Sequence, residues 1–95
     1  MSPAISNPFF FSSLGTVKAL NETDKTAAIE MEDKSGFCLV RYQHSADLQL
    51  GDILDLGTRT NPDPDSFNQS QQKKITLHVL RTNMAAYQLK RYFKN

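Results

Sequence analysis

The residues of this sequence that are best suited to chemistry are cations and aromatics, and they gather in its last third. Residues 66–95 contain six basic side chains and no acidic one, whereas residues 1–65 contain ten acidic and five basic side chains. The two parts therefore carry net charges of +6 and −5. A basic surface of this kind attracts polyanions, although attraction between the two parts within the fold would explain the same division.

Binding of a single-stranded nucleic acid requires a positive groove together with aromatic rings on which bases stack. The sequence interleaves cations with aromatic residues over Tyr87–Lys94, and Phe67 is the only large apolar residue of a long polar stretch. We expect mainly phosphate contacts, because no set of polar side chains indicates base reading. The side chains that we assign to binding of a nucleic acid or another partner are Arg41, Tyr42, Arg59, Phe67, Lys73, Lys74, Arg81, Lys90 and Arg91.

The sequence contains no recognisable set of catalytic residues that would indicate an enzyme. His44 and His78 are isolated in sequence, and Asp63 and Asp65 lack the glycine and later glutamate of a calcium loop. Cys38 is the single cysteine and lies in an apolar run, which favours a buried, inert thiol over a nucleophile or metal ligand. We therefore predict a non-catalytic protein with no metal or other cofactor.

Length and composition predict one small domain. The chain has 95 residues, of which 39% are hydrophobic and 22% charged, and no apolar run approaches the roughly 20 residues of a membrane span. The N-terminus does not resemble a secretory signal. We expect a cytoplasmic protein without a membrane partner, with a flexible segment at residues 1–8 and a single domain at residues 9–95. Phe9–Phe11 would pack over the core or serve a dimer contact.

The apolar pattern predicts a mainly β protein with five strands. These are Leu14–Leu20, Thr26–Asp33, Phe37–Gln43, Asp52–Thr58 and Lys73–Arg81. In the second strand, Ala27, Ile29 and Met31 would face the core, while Ala28, Glu30 and Glu32 would face outward. The expected core is Ile29, Met31, Leu39, Leu54, Leu77, Val79 and Leu89.

Two further elements follow from composition. Arg59–Gln72 contains two prolines and many Asn, Gln and Ser residues, which predicts a long mobile loop in which Phe67 could close over a ligand. Residues 83–94 predict a terminal α-helix with Asn83 as its N-cap. Ala85, Leu89 and Tyr92, or Ala86, Leu89 and Phe93, would form its apolar face.

Two short motifs, Gly15-Thr16-Val17-Lys18 and Leu50-Gly51-Asp52-Ile53, resemble the small RNA-binding barrels of the cold-shock and ribosomal-protein type. The resemblance implies a five-stranded antiparallel OB-fold that binds single-stranded RNA or DNA; an SH3-like barrel explains the same pattern. Cold-shock domains carry aromatic-rich motifs on strands two and three, but the residues at 28–32 are nothing like one. Glu30 and Glu32 on that face would repel phosphates, which moves the candidate site elsewhere. The alternative function is a protein-interaction module, either a monomer or a weak homodimer.

Overall fold

The computed structural model describes residues 13–57 and 65–93, which form a closed antiparallel β-barrel. Its strands are β1 Leu14–Asn21, β2 Thr26–Met31, β3 Phe37–Tyr42, β4 Ile53–Asp55, β5 Asp65–Asn68 and β6 Lys73–Met84. The order around the barrel is β1-β2-β3-β6-β5-β4, and β4 closes it against β1. The barrel is compatible with the predicted OB-like architecture, but it has six strands, so the prediction of five was wrong.

The barrel interior follows the predicted alternation of apolar residues. Ile29, Met31, Leu54 and Leu77 are buried in one core, and Val79 packs against it while partly exposed. The other members of the core are Val17, Ala27, Cys38, Val40, Tyr42, Ala46, Leu48, Leu56 and Ile75. Cys38 is buried, as its apolar neighbours predict.

Close packing between β1 and β2 depends on the missing side chain of Gly15. A Cβ atom at this position would lie 2.5 Å from Cγ2 of Ile29 and 2.9 Å from Sδ of Met31. Both distances are too short for van der Waals contact, so only glycine allows these two core side chains to fill the interior. β1 also contains a β-bulge three residues after Gly15, where Lys18 is the extra residue between the Val17 and Ala19 pairings.

One buried carboxylate joins the β3–β4 connection to the turn after β5. The connection forms a short 3₁₀ turn at His44–Ala46 and buries Ala46 and Leu48 in the core. At its end, Asp52 is only 8% exposed. Its Oδ2 atom accepts hydrogen bonds from the backbone N–H of Gln49 at 3.0 Å, Nδ2 of Asn68 at 2.8 Å and Nε2 of Gln71 at 2.7 Å. Loop and turn are therefore held together by a charged acceptor.

The region predicted as a mobile loop contains β5, so that prediction was wrong for its second half. Asp65–Asn68 pairs with both β4 and β6, and residues 69–72 form the turn into β6. The side chains of β5 that are buried are Ser66 and Asn68, both polar. This polar inward face is the reason why apolar alternation did not reveal the strand. Residues 58–64, including Arg59, lie outside the described residues.

The predicted terminal α-helix was also wrong. β6 continues to Met84 with Asn83 inside it at a left-handed φ of 56°, and a 3₁₀ helix follows at Ala86–Arg91. Gln88 fixes its start, because Oε1 accepts a hydrogen bond from the backbone N–H of Ala85 at 2.8 Å. An isolated helix of this length is marginal, so contacts with the barrel decide its form. The 3₁₀ helix rises about 2 Å per residue and so reaches further than an α-helix would.

Residues 85–93, which we call the C-terminal strap, cross the outside of β1, β2 and β3. At one end, Met84 pairs with Phe37 at the start of β3. At the other, the carbonyl oxygen of Tyr92 accepts a hydrogen bond from Nδ2 of Asn21 at 2.9 Å, at the end of β1. Because these points lie at opposite ends of the barrel, the strap runs along its outer wall.

The outer face of β2 and β3 is buried as well as the interior. Ala28 and Leu39 are paired across β2 and β3 and point away from the interior, yet they are 0% and 1% exposed. Ala28 was predicted to face solvent and Leu39 to face the core, so both placements were wrong in that respect. Leu89 of the strap is half-buried and lies outside the interior core, contrary to its predicted position. Residues 1–12, including Phe9–Phe11, lie outside the described residues.

Candidate nucleic-acid interface

A groove with a basic and aromatic lining lies between the end of β6 and the strap. Its volume is about 490 Å³. The residues that line this C-terminal groove are Arg81, Met84, Tyr87, Gln88, Lys90, Arg91 and Tyr92. No carboxylate stands among these lining residues. Arg81, Lys90 and Arg91 were predicted from sequence as binding residues, and the fold brings these three together.

A bulge in β6 turns Arg81 toward the groove. Val79 pairs with Val40, but Arg81 pairs with Leu39, so Leu80 is an extra residue in the ladder. Strict alternation would place Arg81 on the same side as Leu77 and Val79, facing the core. The extra residue instead puts Arg81 on the outer face with Leu39. The guanidinium is thereby exposed beside the strap.

The aromatic part of the groove is dominated by Tyr87. This side chain is 74% exposed, the most exposed large apolar residue that the described ranges contain. Its backbone is held by the 3₁₀ helix, which Gln88 anchors at its start. Tyr92 is half-buried, and its ring centroid lies 6.5 Å from that of Phe93 at a tilted angle. Tyr87 therefore offers an open ring face, whereas Tyr92 is part of the strap's packing.

Sequence reasoning did not include Tyr87 among the site residues, although a signal was present. Neither apolar face predicted for residues 83–94 includes position 87, so a helix there would have left this ring in solvent. A tyrosine without a packing role next to Lys90 and Arg91 indicates a contact surface.

The cations of the groove are not paired with carboxylates of the described residues. In the described part of the chain, Arg81, Lys90 and Arg91 form no ion pair, and all three are exposed. An ion pair does form elsewhere: Nζ of Lys18 lies 3.7 Å from Oε1 of Glu30, on adjacent strands of the acidic part. The alternative that the basic third serves to attract the acidic part is thus not supported at this groove.

The other predicted site residues lie at separate positions. Arg41 is exposed on β3 opposite His78, and Lys74 is exposed on β6 opposite the half-buried Phe67 of β5. Lys73 is half-buried, and its Nζ donates a hydrogen bond to the carbonyl oxygen of Ser45 at 3.3 Å. The predicted residues therefore do not form one cluster: Lys73, Lys74 and Phe67 lie near the start of β6, and the C-terminal groove lies near its end.

Tyr42 is in the core instead of on the predicted binding surface. It is 6% exposed and packs among the interior side chains. Burial, and to a lesser extent the nearby carboxylate of Glu22, raises the pKa of the Tyr42 phenol above its ordinary value. Tyr42 is therefore not accessible for stacking.

A second cavity of about 610 Å³ lies beside Lys74 and Phe67. Unlike the groove, it includes a carboxylate, that of Asp55, whose Oδ1 accepts hydrogen bonds from Oγ of Ser13 at 2.8 Å and the backbone N–H of Gly57 at 2.9 Å. Within residues 13–57 and 65–93, no group of His, Cys, Asp and Glu side chains is arranged to hold a metal ion. The same residues include no helix with the length and apolar character of a membrane span.

Comparisons with protein-family models, curated proteins and solved structures found no match to this chain.

Proposed function

We propose, from the chemistry of the side chains alone, that this protein is a small non-catalytic module that binds single-stranded nucleic acid in the C-terminal groove. One observation carries the proposal: three exposed cations, which form no ion pair with any described residue, line the same groove as the 74% exposed ring of Tyr87, and no carboxylate is among the lining residues. Cations that follow the phosphates and a ring on which a base stacks are the two elements of single-strand binding.

The usual ligand face of an OB-like barrel is not available for this role. The outer sides of β2 and β3 are covered at Ala28 and Leu39, and the exposed side chain next to them on β2 is that of Glu30. A phosphate backbone would be repelled there. The groove beside the strap supplies the charge and the aromatic ring that the usual face lacks.

The expected binding is weak and depends strongly on salt. Three phosphate contacts on a single strand give a salt slope of about 2, since each contributes about 0.7. Stacking of one base on Tyr87 adds about 1–3 kcal/mol. Because no side chains of the groove are arranged for base recognition, affinity should be similar for different sequences.

The test is a titration of the whole protein against a dye-labelled, mixed-sequence single strand at low salt, followed by fluorescence anisotropy. Replacing Arg81 by Gln should weaken binding about fivefold at roughly 0.1 M salt and reduce the salt slope by about 0.7. Tyr87→Ala should weaken binding without changing the salt slope, because it removes stacking but no charge. Lys18→Gln is the matched control, since it removes one exposed positive charge on β1 that does not line the groove.

Three outcomes would contradict the proposal. The parent protein could show no binding at low salt, or Lys18→Gln could weaken binding as much as Arg81→Gln. In the second case the attraction would depend on total charge instead of on the groove. Equal binding of a poly-glutamate peptide would point to an acidic protein as the partner.

A second candidate function is self-association, which the surface near Gly51 favours. Leu50 and Ile53 are 65% and 42% exposed, and they flank Gly51 and Asp52 at the end of the β3–β4 connection. Contact between apolar surfaces depends little on salt, in contrast to phosphate binding. Sedimentation velocity at two salt concentrations tests this: a dimer that persists in high salt and is lost in Leu50→Ser supports self-association.

A further inference from the structure

The outer face of β6 continues from the C-terminal groove toward the other end of the barrel. Lys74, Thr76 and His78 are exposed along this face, and Arg41 of β3 is exposed directly opposite His78. The bulge at Leu80 keeps Arg81 on the same face beyond them. Cationic side chains thus occur near both ends of the strand and close to its middle.

The far end of this face repeats the chemistry of the groove. Phe67 of β5 lies directly opposite Lys74, so a partly exposed ring and an exposed ammonium group share one side of the sheet. In the groove, Tyr87 and Arg81 form the corresponding pair. Lys74 and Arg81 are seven residues apart, but Leu80 is an extra residue in the ladder, so six steps of about 3.3 Å separate them by about 20 Å.

Among the described residues, two acidic positions of β4 and β5 lie near this path. Asp55 lies opposite Phe67 on β4, on the side away from β6, and two hydrogen bonds engage its Oδ1 atom. Asp65 is opposite Thr76 in the register of β5 and β6. Lys74 lies two residues before Thr76 on β6, and Arg41 lies opposite His78, two residues after it, so cations stand on both sides of the point where Asp65 pairs.

We infer that a nucleic-acid strand bound in the groove continues along the outer face of β6, passes Arg41, and ends at Lys74 and Phe67. This inference rests on the proposed function and adds the length of the ligand. A path of about 20 Å takes about four nucleotides of an extended single strand, the low end of the roughly 4–16 that one OB-type barrel covers. Arg41, Lys74 and Phe67 are then binding residues for the distal nucleotides, while the groove holds the first one or two.

The experiment measures affinity as a function of oligonucleotide length with the whole protein. Mixed-sequence single strands of about two to about ten nucleotides are titrated at roughly 0.1 M salt. Affinity should rise steeply up to about four nucleotides and only slightly beyond. Lys74→Gln should weaken binding of the longer strands about fivefold, the loss of one phosphate contact, and leave the two-nucleotide ligand unaffected.

Two controls separate this inference from the proposed function. Arg81→Gln should weaken binding at every length, because it acts in the groove, and Lys18→Gln should have little effect at any length. If Lys74→Gln behaves like Lys18→Gln while Arg81→Gln still weakens binding, the groove binds but the strand does not follow β6, and the inference is overturned. If the parent binds no oligonucleotide of any length, both the proposed function and the inference are wrong.

Discussion

Replacement of Asp52 by Ala removes the acceptor on which one end of the barrel depends. The carboxylate is 8% exposed, and its Oδ2 atom accepts hydrogen bonds from Gln49, Asn68 and Gln71, which belong to two separate segments. Asn68 is itself 0% exposed. In the variant its Nδ2 atom would lose this partner in a place that solvent does not reach.

The magnitude follows from which donors can turn to water. A buried donor left without an acceptor costs about 1–3 kcal/mol, and hydrogen bonds to a charged acceptor are stronger than neutral ones. Gln49 is exposed and Gln71 is half-buried, so their donors recover most of the loss from solvent. We expect a decrease of about 2–4 kcal/mol in the free energy of unfolding, a large share of the ~5–15 kcal/mol typical of a domain.

The assay is urea denaturation followed by far-ultraviolet circular dichroism. Asp47→Asn is the matched control, because Asp47 is an exposed carboxylate in the same connection, and Asn tolerates its left-handed φ of 49°. This control should change the free energy of unfolding by no more than about 0.5 kcal/mol.

A double-mutant cycle with Asn68→Ala tests the reasoning directly. If the carboxylate and the amide depend on each other, Asn68→Ala should cost clearly less in the Asp52→Ala background than in the parent. Equal costs in both backgrounds would refute the idea that their hydrogen bond holds the turn after β5. A decrease for Asp52→Ala as small as that of the control would refute it as well.

Three further predictions concern the core. Leu77→Ala should lower the free energy of unfolding by about 2–5 kcal/mol, and an unchanged thermal midpoint would contradict its interior position. Gly15→Ala should lower the free energy of unfolding by about 1–3 kcal/mol, because its Cβ would overlap Cγ2 of Ile29. An unchanged midpoint in urea denaturation would contradict this, since it would mean that β1 and β2 can move apart without cost. Burial raises the pKa of Tyr42 above its ordinary 10.0, so its contribution to stability is full below pH 10 and is lost as the pH rises through the folded pKa. Tyr42→Phe should therefore flatten the loss of stability above pH 10, and an equally steep loss in both proteins would contradict this.

The strands with an apolar inward face could be predicted from sequence. The alternation of Ala27, Ile29 and Met31 fixed the position of β2 to within two residues, and the turn at Gly36 fixed its pairing with β3. The same alternation would have placed Tyr42 in the core, because it is two residues after Val40. Tyr42 was instead predicted to lie on the surface with Arg41, because that prediction used the residue types and not the alternation.

β5 and the strap could not be found in the same way, for two physical reasons. The buried side chains of β5, Ser66 and Asn68, are polar, and Asn68 is satisfied by Asp52, which is distant in sequence. The burial of Ala28 and Leu39 on the outer face depends on chain that packs outside the barrel wall, which the pattern of a single strand does not report. For the candidate site, the three groove cations were predicted, but their separation from Lys74 follows from the length of β6 and from the strap that comes after it.

The extra residue at Leu80 shows how little a residue count says about this surface. A chain lacking only Leu80 would keep the same net charge and nearly the same composition. Arg81 would then follow the inward-facing Val79 directly and would stay on the outer face, opposite Leu39. The damaging change is a different one: if the strand kept Leu80 but paired it with Leu39 in a regular ladder, Arg81 would turn toward the apolar interior, where an unpaired guanidinium is very costly. The orientation of this cation is therefore set by the pairing of β6 with β3 and not by the number of residues in the strand.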